Sequence, residues 1–204
     1  TTGNGGSHGL SLINATGATL VLGRDGLITT TGTGASIGVN AGGVNSSNHK
    51  ITINGGIQTV GAGAHGLVVG GTSTVKVNGT IDTKGSAAHG IVVQGSGNSI
   101  EVMGSVRATG SGAHAIHNTG GTNNVYTIGK GSLILGEIYT DQPGNTLRFD
   151  ISPTQAYVYE TTGDWILEDM NGRVVVSGSA VSASIGHAET ADEMLFERTQ
   201  LFLQ

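Results

Sequence analysis

Between Lys50 and His117 the apolar and polar positions return in a fixed order. Ile51-Thr52-Ile53, Val75-Lys76-Val77 and Ile100-Glu101-Val102 each alternate apolar, polar, apolar. Ile57-Gln58-Thr59, Ile81-Asp82-Thr83 and Val106-Arg107-Ala108 form a second such set, and Leu67-Val68-Val69 with Ile91-Val92-Val93 a third. A period of two in β-branched residues predicts strands, and no run has room for a helix. Gly, Asn, Ser and Thr separate the runs, so one unit holds three short strands and three bends.

The unit recurs after 24 residues from His65 to His89 and 25 from His89 to His114. That period predicts a solenoid, each unit stacked on its copy. With three strands per coil the expected fold is an all-β parallel β-helix, its rungs about 4.8 Å apart. Two inward ladders follow: Ile51, Val75, Ile100 and Ile53, Val77, Val102. The outward columns are Thr52, Lys76, Glu101 and Gln58, Asp82, Arg107, which set Lys76 on Glu101 and Asp82 on Arg107 as opposite charges.

Looser coils precede this stretch. Ser7-His8-Gly9-Leu10 matches the later Ala-His-Gly-Leu, Ser36 takes the histidine slot, and Asn45 to Asn48 reads as a surface loop. After His117 the frame continues through Tyr126-Thr127-Ile128 and Leu133-Ile134-Leu135. The composition then shifts: 32 of 37 Gly lie before residue 139, and 7 of 8 aromatics lie from Tyr139 onward. The expected organisation is coils over 1–138, an aromatic-rich β cap over 139–188, and a short α-helix over 189–204. In the cap, Ala156-Tyr157-Val158-Tyr159 and Trp165-Ile166-Leu167 read as strands, and Asn171-Gly172 as a tight hairpin turn. Thr190-Ala191-Asp192-Glu193 is a capping box ahead of Met194, Leu195, Leu201 and Phe202.

Only 11% of residues are charged and the net charge is −5, so no basic patch points to nucleic acid. No run approaches the about 18 apolar residues of a membrane-spanning helix. Cysteine is absent, which removes disulfides and thiolate chemistry together. The chain opens in mid-pattern at Thr1-Thr2-Gly3 and reads as a segment of a longer protein.

Taken together, the Gly/Asn/Thr-rich coils, Gly136-Glu137-Ile138 with Asn145-Thr146-Leu147, Gly163-Asp164-Trp165-Ile166-Leu167, and the segment from Thr190 resemble the C-terminal part of a Gram-negative autotransporter (type V secretion) passenger domain. The resemblance implies a right-handed β-helix whose Trp-bearing cap is an autochaperone. That cap folds first and templates the coils, and a terminal helix leads to an outer-membrane barrel. It implies a non-catalytic stem at the cell surface of a Gram-negative bacterium, in an adhesin or self-associating virulence factor. The implied partners are a host-cell surface or matrix component, a second copy on another cell, and the chain's own barrel. The folding-nucleus residues on this reading are Tyr157, Tyr159, Trp165, Ile166, Leu167 and Val174. A polysaccharide-acting β-helix enzyme (lyase- or hydrolase-like) or the stem beneath an enzyme domain, and a trimeric phage tail-spike-like fibre, are the alternatives.

His65, His89 and His114, with His8 as a further member, form a column that could hold a transition metal. No carboxylate accompanies it in the linear pattern, so it is read as a packing ladder, with no metal, cofactor or catalytic residue assigned. Charging stacked rings is costly, so loosening is expected below about pH 6. Gly5-Gly6-Ser7-His8-Gly9 has the G-x-S-x-G spacing without a strand-turn-helix context, and Gly129-Lys130-Gly131-Ser132 lacks the P-loop glycine. A carbohydrate enzyme on this fold needs clustered carboxylates, yet Asp25, Asp82, Glu101 and Glu137 are the only ones before residue 139. The outward columns lack the Thr rows of an ice-binding face. Trp165, Tyr157 and Tyr159 could line a sugar surface, though packing in the cap suits them better.

Overall fold

The computed structural model of the chain describes residues 6–32, 35–152, 155–172, 174–177 and 179–183. Among these residues the regular elements are all strands, stacked as a parallel β-solenoid of about six turns with three sheets. The first sheet is parallel throughout and holds Thr19–Leu22, Lys50–Ile53, Thr74–Val77, Ser99–Val102, Val125–Ile128, Asn145–Phe149 and Trp165–Asp169. The second holds Leu27–Thr30, Gly56–Thr59, Thr80–Thr83, Ser105–Ala108 and Leu133–Leu135. The third runs from Leu10–Ser11 through Val39–Ala41, Leu67–Val69, Ile91–Val93, His114–Asn118 and Glu137–Thr140 to Tyr157–Thr162. The helix expected from residue 189 lies outside the described residues.

The register is the one the repeats predict. Ile51 pairs with Val75 and Val75 with Ile100, while Ile53, Val77 and Val102 make the next column, all essentially buried. Ile57, Ile81 and Val106 supply the second sheet's ladder, and Val39, Leu67, Ile91, Ile116 and Ile138 the third's. At the ends of the second-sheet strands the buried hydroxyls of Thr30, Thr59 and Thr83 donate to the carbonyls of Ser36, Ala64 and Ala88, closing the same turn three times. Ser36 therefore matches the alanine before the histidine. Ile37, whose carbonyl accepts from the Gly9 amide just as the His65 carbonyl accepts from the Gly38 amide, is the residue in the histidine slot, one position later than expected.

Polar residues enter the interior only where the next coil supplies a partner. Immediately before the first-sheet strands runs a buried column of His49, Ser73, Asn98, Asn124 and Asn145. The backbone N–H of each of the first four donates to the side chain one coil further on: His49 to Ser73 Oγ (3.1 Å), Ser73 to Asn98 Oδ1 (2.7 Å), Asn98 to Asn124 Oδ1 (2.8 Å) and Asn124 to Asn145 Oδ1 (3.0 Å). Corner amides with no strand partner are thereby satisfied without water.

Several expectations need correction. Lys76 meets Glu101 at 2.6 Å, but Asp82, although in register with Arg107, pairs instead with Lys84 at 3.7 Å. The short Asp82 side chain stays near its own strand, where the long Lys84 reaches it. Ser46, assigned to a surface loop, is buried and accepts from the Asn14 amide at 3.0 Å. Asn171-Gly172 does not make a hairpin, because Trp165–Asp169 and Val175–Ser177 belong to different sheets. It is a corner held by Asp169, whose carboxylate accepts from the Asn171 and Val174 amides, while Asn171 Nδ2 donates to Ile151 O. The hairpin joins Val175–Ser177 to Ala180–Ala183.

Nor is the compositional boundary at 139 a break in the hydrogen-bond ladder. The first sheet continues through Asn145–Phe149 and Trp165–Asp169. Pairing changes character only at Tyr157–Thr162, parallel to Glu137–Thr140 on one side and antiparallel to Ala180–Ala183 on the other. The coil itself shortens earlier. Seven residues separate Thr59 from Leu67, but only Gly136 separates Leu135 from Glu137. Gly136 sits at φ 116°, where a Cβ would lie 3.0 Å from Ala108 O and 3.1 Å from Ala115 N.

The turn before each histidine also needs a left-handed residue. Gly63 and Gly112 adopt φ 65° there, but Ala87 holds the equivalent place at φ 50°. Ala87→Gly is expected to raise stability by about 1 kcal/mol. Gly136→Ala is expected to lower it by about 1–3 kcal/mol. Urea denaturation followed by far-UV circular dichroism measures both, and a neutral Ala87→Gly would mean the backbone relaxes elsewhere.

Candidate functional site: the histidine ladder and the cap

Rung spacing makes the histidine column a stack. His65 and His89 lie 5.0 Å apart at 13°, and His89 and His114 5.0 Å apart at 7°. The backbone N–H of His89 donates to His65 Nδ1 (3.1 Å), and that of His114 to His89 Nδ1 (2.9 Å). Each of these two rings therefore carries its proton on Nε2, a tautomer set by the coil above. His8, at the far end beyond Ile37, faces Asn40 Nδ2 at 3.0 Å.

The column ends in a cluster that strict alternation does not reveal. His117 stands three positions after His114, which in a regular strand would put it on the opposite face. One extra residue in the His114–Asn118 strand bulges against Glu137–Ile138, and the register shift lets both histidines face outward. His117 occupies the column of Val68 and Val92, and its Nδ1 lies 3.1 Å from His89 Nε2. Because the turn before Glu137 has shrunk to Gly136, Glu137 pairs with His114 and Tyr139 with His117. Tyr139 continues the stack on His114 at 4.8 Å and 15°. Glu137 Oε2 lies 2.9 Å from His114 Nδ1, and Asp141 Oδ2 lies 3.7 Å from His117 Nε2. Both carboxylates face these ring nitrogens at ion-pair distance, and both nitrogens are closed off from solvent.

Carboxylates thus do accompany the column, contrary to the sequence reading. His117, Glu137, Tyr139 and Asp141 were missed because a coil one turn shorter brings them there. The available signal was the His114-x-x-His117 spacing followed by Glu137-x-Tyr139-x-Asp141, two alternating sets one coil apart.

Burial favours the neutral form of His65, His89 and His117. Burial, reinforced by the charge His117 would carry, lowers His65 to about 4. Burial and the neighbouring histidines lower His89 to about 3. His117 is lowered by burial and by His114, against the opposing pull of Asp141 and Glu137. The hydrogen bond to Asp141 raises the Tyr139 phenol.

Of the six cap residues, Tyr159 belongs to the main core, and Tyr157, Trp165 and Val174 pack against it. Tyr157 and Tyr159 stack on each other at 4.9 Å and on Phe149 at 5.8 and 6.3 Å. Trp165 stands edge-on to buried Tyr126 at 5.2 Å and donates from Nε1 to Thr162 O (3.1 Å). Val174 packs partly buried against the core, but Ile166 is 53% and Leu167 36% exposed. Leu167 continues the inward column of Leu147, yet among the described residues its strand is the last of the first sheet, which leaves it partly exposed. The ring faces of Tyr157 and Tyr159 that a sugar would need are largely taken up by aromatic stacking. Asp82 and Glu101 lie on different sheets, as the repeat alignment placed them.

Comparison of the chain with protein-family models, curated proteins and solved structures returns no match.

A pH dependence follows from the neutral stack. The folded values of His65 and His89 are depressed below the unfolded 6.5, so the unfolded chain takes up protons first as pH falls. Their contribution is complete above about pH 6.5 and is lost towards pH 4 and 3 respectively, at up to about 1.4 kcal/mol per pH unit per ring. In chelator, the urea midpoint is expected to fall steadily between pH 7 and pH 5. His65→Ile with His89→Ile, copying Ile37, should flatten that decline. A midpoint that is already flat in the unaltered chain means the rings charge in place.

Proposed function

We propose that this chain is the non-catalytic stem and folding nucleus of an autotransporter passenger displayed on a Gram-negative cell. The passenger would act as an adhesin or a self-associating virulence factor, its upstream coils meeting a host surface, matrix component or second copy. The observation that carries this reading is the asymmetry of the C-terminal end. There a parallel solenoid is closed by an antiparallel hairpin and the Phe149–Tyr157–Tyr159 stack. The sequence resemblance supports the same reading.

The mechanism is kinetic. A parallel coil has no local hairpin to nucleate it, so it forms most readily against an existing edge. The hairpin of Val175–Ser177 with Ala180–Ala183 is local, and its pairing with Tyr157–Thr162 presents an edge for the Glu137–Thr140 coil. Coils then add towards the N-terminus, each burying its Ile, Val and Leu ladder on the one before. A folded coil cannot slide back through a barrel, so growth outside the cell would bias export outward. The alternating outward residues leave the coil faces polar, and neutral, hydrogen-bonded histidines suit a rigid stem.

Refolding tests this. Residues 1–152 alone, which keep the coils but lose the hairpin, are expected to recover protease resistance at least about tenfold more slowly than the full chain. Tyr159→Ala in the full chain should slow refolding more than it speeds unfolding. Equal refolding of 1–152 and the full chain would rule out the nucleus and leave the hairpin as a plain end cover.

A further inference from the structure

We infer that the end of the histidine ladder is a binding site for one divalent transition-metal ion of the zinc–copper class, ligated by His89, His114 and His117. One ring nitrogen from each lies within 4.8 Å of the other two. The cluster is set by the stack: His89 and His114 occupy successive rungs, and His117 rises beside them from the bulged strand. His114 Nδ1 and His117 Nε2 are buried on the sides of the rings that face carboxylates, which leaves the other nitrogen of each ring to bind the ion. Glu137 and Asp141 stand behind these two rings at 2.9 and 3.7 Å, where carboxylates orient ligating imidazoles and offset the ion's charge. Three imidazoles select copper, zinc or nickel over magnesium and calcium, which prefer oxygen.

The hydrogen bonds also dictate the proton balance. His89 cannot offer Nδ1, which accepts the backbone N–H of His114. Its ligand atom is Nε2, and the proton there is shared with His117 Nδ1 at 3.1 Å. The ion takes the place of that proton. His89 becomes an imidazolate, its Nδ1 still holding the backbone N–H in a now charge-assisted hydrogen bond. One proton is released to solvent for each ion bound, the one displaced from His89 Nε2. A site of freely rotating histidines would release none at pH 7.5.

The test uses the full untagged chain, stripped with chelator and titrated with zinc chloride or copper chloride at pH 7.5. Calorimetry is run in two buffers of different ionisation enthalpy. One ion per chain is expected, with one proton released and a higher melting temperature, and no response to magnesium or calcium. His117→Val copies Val68 and Val92 in the same column, and His114→Ile copies Ile37. Both are expected to keep the β circular dichroism and to weaken binding by roughly a hundredfold, and Glu137→Gln by about tenfold. Absence of saturable uptake by the unaltered chain overturns the site. So does uptake undiminished in folded His117→Val, or uptake without proton release. If His114→Ile fails to fold, His117→Val decides alone.

Discussion

Everything in this molecule depends on one geometric constraint: each residue lies directly on its equivalent in the coils before and after. Parallel in-register stacking converts a 24- to 25-residue period into columns about 5 Å apart, as the ring stack of His65, His89 and His114 records. A column is stable only if its residue suits a neighbour of the same kind. Aliphatic side chains satisfy that by packing, which explains the ladders of Ile, Val and Leu. Polar ones satisfy it by taking a backbone N–H from the adjacent coil, as Asn98, Asn124 and Asn145 do in one direction and His65 and His89 do in the other.

The same constraint makes ending the solenoid a problem, because the last coil of each sheet faces no equivalent. The three sheets end differently. The second stops first, at Leu133–Leu135, where the Gln155 side chain accepts from the Gly131 amide and donates to Ser132 O. The third turns antiparallel, which removes the template for a further coil. The first ends on Trp165–Asp169 with Leu167 partly exposed, while large rings replace the small aliphatics below them. Tyr126 and Phe149 are the largest fully buried side chains, both close to this end.

Shortening the turn to Gly136 links the two features of interest. It begins the tapering of the coil, and it also drops Glu137, Tyr139 and Asp141 beside the last histidines. A ligand set held by stacked rungs is preorganised, since His89 is fixed by the backbone N–H of the coil above and His114 stacks between His89 and Tyr139. The tapering of the coil and the histidine–carboxylate cluster at the ladder's end are therefore two consequences of one shortened turn.

The sequence by itself determined the strands, their three-sheet order and their register, because a period of two inside a fixed longer period admits few other packings. It also placed Ile51 on Val75 and Lys76 on Glu101 correctly. The single-residue error at Ser36 and Ile37 arose where the repeat lacks a histidine to anchor it. The hairpin assigned to Asn171-Gly172 failed because a local turn signal does not say which sheet follows. Only the tertiary structure decided what surrounds the histidines. His117 required a bulge, and Glu137 and Asp141 required a coil whose turn had shrunk to one glycine. Such contacts depend on how a coil departs from the repeat, whereas the sequence pattern reports only how it conforms.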